Sequence, residues 1–491
     1  MKLSLSKIAV ILLVFLTTTA YAQYRGFSYN FYGGGARSEG MGQAFLAVSD
    51  DGSAGSWNPA GLYVHEKTLM QFSYGVLMPR GNEKYFLGSE SPDPAVIGPA
   101  YTKKDHQGEY PGIDYMAIIS PLRIKGHHVV ASMSFTQHFD TYNTFLENLL
   151  YDHLGWGPYP NAKIETHGSI NSVNFAFGTR VYKQLSMGVS ANIYYGKVVS
   201  EEYRYLRASV VDIDNITRVY RNGIRVIDST DFTGFNATVG FLYAAEPLRA
   251  GLTVRLPFDL KGNTDSTIVS HATEGGIGGL SIPIQSTPYF SMFKSDTVYI
   301  DDMTSRYQMP FIVGFGVAYD ISENWILAGD VEYRGFKGKK VKILDRLELT
   351  AGGERVEYFT DNDLNWSNIF QFRVGTEYRW ETPVGIIPFR VGFRNEAFPD
   401  GNVSNIATIF EGEKGSSEND STRVFYVFDS NDDNITGFSM AVGIGIHWSQ
   451  IQIDLAYTNT RYSQELYKGD YLQLENKWND HRLNFSFTGY F

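Results

Sequence analysis

Two alternations in the sequence constrain the fold more than any other feature, and the first is residue by residue. Bulky apolar side chains alternate with small or polar ones, as where Ile451, Ile453 and Leu455 alternate with Gln452 and Asp454. This period of two is typical of a β-strand whose two faces meet different surroundings. Several such runs reach the roughly 9 to 11 residues that a tilted strand needs to cross a bilayer.

The second alternation lies in the connections between strands. About fourteen strands are predicted, near residues 68–77, 112–121, 127–138, 169–182, 185–198, 234–245, 248–260, 309–319, 324–336, 366–379, 385–396, 436–447, 450–461 and 480–491. Short turns alternate with long polar segments at residues 78–111, 139–168, 199–233, 261–308, 337–365, 397–435 and 462–479. Short connections at one end of the strands and long ones at the other are typical of an outer-membrane barrel, with tight periplasmic turns and long external loops. A soluble β-sandwich has no reason to separate its connections in this way. The pattern predicts an all-β, transmembrane antiparallel barrel.

The aromatic content of 15% fits a closed barrel. Hydrocarbon cannot hydrogen-bond a free sheet edge, so the strands must close, and aromatic girdles lie at the two membrane interfaces. Candidate girdle residues, for which ordinary strand packing is the alternative, are Tyr194, Tyr195, Tyr333, Trp380, Tyr457 and Tyr490. The chain ends on Phe491, which resembles the terminal signal recognised by the barrel assembly machinery; we expect that machinery and outer-membrane lipid as partners.

Composition and motifs exclude several functions. The net charge of −11 argues against nucleic acid, which needs an extended basic surface. The basic residues Arg334, Lys337, Lys339, Lys340 and Lys342 form one short cluster, interpreted as a solvated strand end. The sequence has no nucleophile elbow, phosphate loop or zinc helix motif, and no cysteine. We therefore predict no enzyme activity, no cofactor and no metal site.

The N-terminus has the pattern of an export signal. Lys2 and Lys7 precede an apolar run from Ile8 to Leu16, and Ala20-Tyr21-Ala22 has the form of a cleavage site. The apolar run is much shorter than the roughly 20 residues of a spanning helix. We predict a signal peptide at residues 1–22 and a mature chain in the outer membrane of a Gram-negative cell.

The segment between the signal and the first strand narrows the family. Residues 33–48 read GGGARSEGMGQAFLAV and residues 57–62 read WNPAGL. Pro59 disfavours a helical conformation at Asn58, so Asn58 is expected at a sharp turn where its amide bonds to nearby backbone. The segment resembles the N-terminus of the FadL-type outer-membrane transporters of long-chain fatty acids and toluene. That resemblance implies a hatch at residues 23–66 inside a barrel at residues 67–491.

The resemblance also implies a function and candidate residues. It implies passive transport of hydrophobic small molecules, long-chain fatty acids or aromatic hydrocarbons, by a barrel whose hatch rearranges. We expect this barrel to be a monomer. The candidate gating residues of the hatch are Met41, Phe45, Asn58, Pro59, Ala60 and Gly61. Arg255, Arg373 and Arg390 are candidate partners for a ligand carboxylate, with interior salt bridges as the alternative.

A second function remains open from the sequence. Some barrels that resemble this family act as protein-binding components of secretion or surface attachment, in the manner of a type IX shuttle. Large hydrophilic segments such as residues 261–308 would suit a protein partner. A continuous apolar pocket under the hatch would instead suit a small ligand.

Overall fold

Fourteen antiparallel strands pair side by side in one closed ring. The computed structural model describes residues 33–87, 100–140, 143–147, 162–211, 217–277, 280–282, 296–349, 355–363, 366–411, 423–468 and 472–491. The predicted signal peptide and residues 23–32 of the predicted hatch lie outside them. The fourteen-stranded barrel with an N-terminal segment packed inside it confirms the predicted fold class.

The barrel strands follow one another around the ring in chain order, and the first strand pairs with the last. They are β1 Leu69–Met78, β2 Tyr110–Ile124, β3 His127–Asp140, β4 Ala162–Tyr182, β5 Leu185–Val211, β6 Thr217–Ala245, β7 Leu248–Arg255, β8 Ile312–Ser322, β9 Trp325–Arg334, β10 Ile369–Thr382, β11 Gly385–Glu411, β12 Arg423–His447, β13 Ile451–Lys468 and β14 Leu472–Tyr490. Each of these contains or overlaps one predicted strand.

Where the structure describes the long connections, they are largely strand, whereas the sequence predicted loops. Further strands extend the wall at Arg80–Leu87, Ala100–Gln107, Asn143–Glu147, Phe258–Ile277, Leu280–Ile282, Asp296–Met309, Lys340–Leu349 and Arg355–Asp363. Strand β6 alone has 29 residues, about three times the length needed to cross a bilayer. We call this side the hairpin end and the opposite side the short-turn end. The predicted long segments lack an apolar face, so their sequence did not reveal the strands.

The two faces of the wall have opposite character. Along β1, the exposed Met70, Phe72 and Tyr74 alternate with the buried Gln71 and Ser73. An apolar outer face with a polar inner face is the pattern of a transmembrane barrel. No helix among the described residues is long and apolar enough to cross a membrane.

The residues of the hatch form three very short helices inside the lumen. These are α1 Ala36–Gly40, α2 Ala54–Trp57 and a 3-10 helix at Pro59–Val64. Helices of this length are unstable in water on their own. Contacts with the wall must therefore hold them.

Candidate functional site

The hatch fills the barrel lumen near the short-turn end. Every residue from Gly33 to Leu62 is buried except Asp50, which is half-buried. Met41 and Phe45, two of the predicted gating residues, belong to one apolar cluster with Trp57. The Phe45 and Trp57 rings lie 5.9 Å apart between centroids. The wall contributes small or branched side chains to this cluster, Ala318, Ile326 and Ala328.

The Asn58-Pro59 motif joins the two halves of the hatch to the wall. The Asn58 amide nitrogen donates to the carbonyl oxygens of Leu46 (3.0 Å) and Phe241 (3.1 Å). Its amide oxygen accepts from the backbone nitrogen of Ala60 at 3.1 Å. Pro59 begins the 3-10 helix, where its missing N–H costs nothing. One side chain thus satisfies three backbone groups of three different segments.

Replacing Asn58 with alanine should loosen the hatch. It leaves two carbonyl oxygens and one N–H without their partner, and each unsatisfied buried group costs about 1–3 kcal/mol. We expect faster hydrogen exchange at Ala60 and Gly61 in the full-length barrel. Asn171→Ala is the matched control, because Asn171 bonds Ser169 at 3.1 Å and not the hatch. Equal exchange in the two variants would contradict this role.

Glycines on several wall strands let the hatch pack closely against the wall, and we call this set the glycine seat. A Cβ atom at any of these positions would lie less than 3.0 Å from a hatch atom: Gly178, Gly188, Gly240, Gly251, Gly314, Gly316, Gly375 and Gly392. At Gly392 the obstacle is backbone, with the Gly42 nitrogen 2.0 Å from the added atom. Any side chain in the seat would therefore collide with the hatch.

A buried group of charges, the arginine clamp, ties the hatch to strands β10 to β13. Arg37 of the hatch donates to both Glu377 oxygens, at 2.8 and 3.1 Å. Glu377 also accepts from Arg390 at 2.6 Å, and Arg390 bonds Asp454 at 2.7 Å. Glu377 and Arg390 are essentially inaccessible to solvent. Removing one partner from such a pair leaves an uncompensated buried charge, which is strongly destabilising.

Two aspartates of the hatch extend the clamp toward the short-turn end. Asp50 pairs with Arg37 and, at 3.4 Å, with Arg249. Burial alone would raise the pKa of Asp50, but the charges of Arg37 and Arg249 outweigh it and lower that pKa to about 2. For Asp51 burial prevails, and its pKa is raised despite the nearby Arg37. The arginines thus hold the Asp50 carboxylate ionised at neutral pH.

Other anchors fix the hatch at different points of the wall. Asp330 of β9 accepts from the backbone nitrogens of Phe45 (2.7 Å) and Leu46 (3.0 Å). Glu39 of the hatch pairs with Arg394 of β11 at 3.4 Å. The two contacts come from β9 and β11, which lie on either side of β10. The hatch is therefore attached to the wall on both sides of that strand.

A β-bulge in β2 supplies two further inward side chains. The pairing register with β1 shifts at this point, and the consecutive residues Asp114 and Tyr115 are both buried. The Tyr115 hydroxyl donates to the Gly52 carbonyl of the hatch at 3.0 Å. Asp114 accepts from Arg482 and from Asn484, the latter at 3.0 Å. The bulge re-aims a side chain that regular pairing would point at lipid.

The three candidate carboxylate partners have different surroundings. Arg390 lies in the clamp, and Arg373 pairs with Glu332 at 3.3 Å. The interior salt bridges that the sequence left as the alternative are therefore present at both. Arg255 instead donates to the Thr238 hydroxyl at 3.4 Å and lies opposite Ile312 on the next strand.

An apolar group of inward side chains occupies the lumen beyond the hatch, on the side of β4 to β10; we call it the lumen cluster. Its buried members are Ile170, Tyr194, Phe232, Leu260, Met309, Ile312, Phe336, Val341, Trp366 and Ile369. Tyr194 stacks on Phe258 at 4.8 Å between centroids. Phe336 and Trp366 meet edge to face at 5.3 Å.

Tyr194 corrects one sequence expectation. It was a candidate for the aromatic girdle, yet it is 1% exposed and faces the lumen, whereas its neighbour Tyr195 is 42% exposed. Consecutive residues of a strand point to opposite faces, so only one of the two can meet lipid. Of the other candidates, Trp380 is exposed and Tyr490 is half-buried.

Two cavities adjoin the hatch, and both are lined largely by charged and polar groups. One, of about 600 Å³, opens between the hatch and the short-turn end beside Arg37, Arg379 and Trp448. The other, of about 160 Å³, lies on the far side of the hatch beside Glu39 and Arg394. A continuous apolar pocket under the hatch was the sequence criterion for a ligand carrier. Among the described residues, the apolar side chains beyond the hatch are packed into the lumen cluster.

Sequence reasoning missed most of the wall residues that hold the hatch. Gly443 of the wall lies against Gly40 of the hatch. Glu377, Asp330 and Asp114 were not singled out. The sequence did contain one signal: each is a charged residue at an inward position of a strand that crosses the membrane. A charge at that position is costly unless it is paired, so it indicates a contact with another group.

Comparison with known proteins supports the architecture. A family model described as BamG matches residues 105–399, which is more than half of the chain. No curated protein matches the chain by sequence.

Solved structures match nearly the whole chain. A FadL homologue of Pseudomonas aeruginosa is 15% identical, with a TM-score of 0.57, 95% of this chain covered and 99% of that one. The toluene transporter TodX of Pseudomonas putida is 13% identical (TM-score 0.55, 94% and 99% covered). The toluene transporter TbuX of Ralstonia pickettii is 14% identical (TM-score 0.51, 94% and 100% covered). At these identities the likeness establishes the FadL-type barrel fold.

Proposed function

This chain belongs to the BamG family, and from that premise and its FadL-like barrel we propose that it carries hydrophobic small molecules across the outer membrane. The proposed substrates are long-chain fatty acids or aromatic hydrocarbons. Transport is passive, without enzymatic chemistry, and a movement of the hatch opens the route. The short-turn end faces the periplasm and the hairpin end faces outward, as in other outer-membrane barrels.

The lumen cluster is the observation that supports this proposal. It places a large group of apolar side chains inside the lumen, with Arg255 beside Ile312 at its edge. Burying a chain or ring there gains about 25 cal/mol per Å² of apolar surface. In this proposal Arg255 binds the carboxylate of a fatty acid, while Arg373 and Arg390 serve the structure.

Passage also requires the hatch to move, since it fills the lumen at the glycine seat. Met41 and Phe45 would leave their apolar cluster, and the segment from Asn58 to Gly61 would leave the wall. The absence of cysteine makes this testable, because two introduced cysteines can form only one disulfide. A Cβ added at Gly55 of the hatch would lie 3.3 Å from the Cβ of Ala176 in β4, close to the roughly 3.5–4.5 Å of a disulfide.

The experiment compares oxidised and reduced Gly55→Cys/Ala176→Cys in proteoliposomes. The probes are oleate and toluene, and the readout is their uptake by the full-length barrel. We expect oxidation to stop uptake and reduction to restore it. Gly55→Cys alone, treated with the same oxidant, controls for the substitution. Uptake that continues in the fully cross-linked protein would refute hatch-gated transport.

A second function, as a barrel that binds a protein for secretion or surface attachment, is favoured by the wall beyond the hatch. Strands β5 and β6, with 27 and 29 residues, continue far past the apolar band. The arginine clamp also makes the hatch a firm partition. Under this function, cells with the cross-linked barrel would still secrete or attach the partner protein. Shortening the strands of the hairpin end would abolish that secretion or attachment. No variant, and not the parent, would take up oleate.

The proposal extends to the partners of the barrel. We propose a monomer in the outer membrane, surrounded by lipid and inserted by the barrel assembly machinery. Pairing of β1 with β14 closes the ring of the fourteen described barrel strands, which is consistent with a barrel that needs no second copy.

A further inference from the structure

A row of three cations crosses the outer face of the wall just past the apolar band. Lys261, Arg306 and Lys342 lie directly opposite one another on three adjacent strands. All three are exposed. Directly opposite residues have Cβ atoms about 4.5–5.5 Å apart, and like charges at that spacing destabilise a sheet. Such a row is unexpected in a chain whose net charge is −11.

More cations lie between this row and the apolar band. Lys337, which is exposed, and Lys339, which is half-buried, lie between β9 and the strand Lys340–Leu349, and the exposed Lys340 begins that strand. Acidic residues adjoin these cations: Asp361 and Asp363 lie opposite Lys342 and Lys340, and Asp231 and Asp259 are exposed near Lys261. With Lys261, Arg306 and Lys342 the surface holds six cations against these four acids. We call the six the basic surface.

The basic surface differs from the cluster seen in the sequence. Arg334, which is adjacent to these lysines in sequence, points inward and bonds Glu332 at 2.6 Å. In its place come Lys261 and Arg306, which are distant in sequence and joined only by strand pairing. The lysines of the sequence cluster lie at or beside the start of a strand, and with Lys261 and Arg306 they form a two-dimensional patch on the wall.

The edge of the lipid-facing band lies beside the basic surface. Leu256, Phe311 and Phe370 are 41–54% exposed on the same outer face. Tyr333 joins two of them, with ring centroids 5.6 Å from Phe311 and 5.1 Å from Phe370. Arg306 is five residues from Phe311, about 15 Å along the strand. The cations thus lie at the height of lipid headgroups, next to rings that mark the membrane interface.

We propose that the basic surface binds the phosphate groups of a phosphorylated glycolipid in the outer leaflet. The acyl chains of that lipid pack on Leu256, Phe311 and Phe370, and its phosphates neutralise the row of Lys261, Arg306 and Lys342. A membrane-adjacent cluster of Lys and Arg attracts anionic lipid headgroups. An acidic soluble protein would pair with the cations but would leave the apolar edge without a partner. A phosphorylated lipid fits both the cations and the apolar edge.

The test uses the full-length barrel in neutral detergent micelles, with fluorescent bis-phosphorylated lipid A as the probe and its dephosphorylated form as the comparison. The variant is Lys261→Gln/Arg306→Gln/Lys342→Gln. The matched control is Arg123→Gln/Lys125→Gln/Lys183→Gln, which removes the same charge from exposed positions at the short-turn end. We expect the first variant to bind phosphorylated lipid A on the order of a hundredfold more weakly. The control should bind like the parent.

The other outcomes overturn the proposal. Equal binding by both variants would show that the row takes no part. Equal binding of dephosphorylated lipid A would show that the phosphates are not recognised, and full competition by inorganic phosphate would indicate a free-anion site. Heat-modified migration on gels verifies that each variant is a folded barrel, so a loss of binding cannot be mistaken for unfolding.

Discussion

Gly392→Ala is expected to displace the hatch and make the barrel leaky. The added Cβ would lie 2.0 Å from the Gly42 nitrogen and 2.2 Å from the Met41 carbonyl carbon. Both obstacles are backbone, so no rotamer change can relieve the collision. Overpacking costs about 1–3 kcal/mol, which shifts a closed-to-open equilibrium by roughly tenfold to a hundredfold. Conductance in planar bilayers should rise accordingly, as should sensitivity of cells to a large hydrophilic antibiotic.

Gly329→Ala is the matched control for this prediction. Gly329 also lies in a barrel strand, but a Cβ there would meet only the Arg373 carbonyl oxygen, at 3.7 Å. It should leave conductance unchanged. If Gly392→Ala is a folded barrel with parental conductance, the glycine seat does not set the position of the hatch. Limited proteolysis of the hatch distinguishes displacement from failure of the whole barrel to fold.

Glu377→Gln is expected to cause the largest loss of stability. The neutral amide would leave Arg37 and Arg390 buried without their shared carboxylate, and Arg379 would lose a bond of 2.9 Å. Breaking a buried pair by removing one partner costs about 3–5 kcal/mol. We expect the free energy of hatch opening, measured by hydrogen exchange at α1, to fall by that amount.

An exposed ion pair provides the control for the clamp. Arg225 bonds Glu201 at 2.6 Å on a solvent-exposed part of the wall. Exposed pairs contribute little because water screens them, so Arg225→Gln should leave hatch exchange unchanged. The double variant Arg37→Gln/Glu377→Gln should lose less than the two single variants together. Additive losses would mean that the two residues do not act through each other.

The strands that cross the membrane were predictable because their two faces differ. Alternation locates all fourteen, since lipid selects side chains such as Met70 and Phe72 on one face only. Beyond the membrane both faces meet water, the alternation ends, and the strands at Phe258–Ile277 and Asp296–Met309 were read as loop. The alternation of apolar and polar side chains therefore indicates which part of a strand crosses the membrane. It does not indicate where the strand ends.

The position of the hatch followed from a motif, but its attachment did not. Asn58 and Pro59 carry a local signal, because the turn they make involves neighbouring residues. Glu377 lies 340 positions from Arg37, and single-sequence reasoning has no means to pair residues at that distance. The same limit applied to Arg390. From the sequence alone, an arginine that binds a ligand carboxylate cannot be distinguished from one that forms an interior salt bridge.

The hydrogen bonds of Ser486 have a consequence for how the protein is made. Its hydroxyl accepts from the backbone nitrogen of Ala36, 450 residues earlier, and lies 2.7 Å from the Ser73 hydroxyl. Ala36 thus meets this partner only after residue 486 has been synthesised. Contacts so remote in sequence slow folding and leave strand edges exposed in the meantime. The nascent chain must be shielded from aggregation until its final residues are in place.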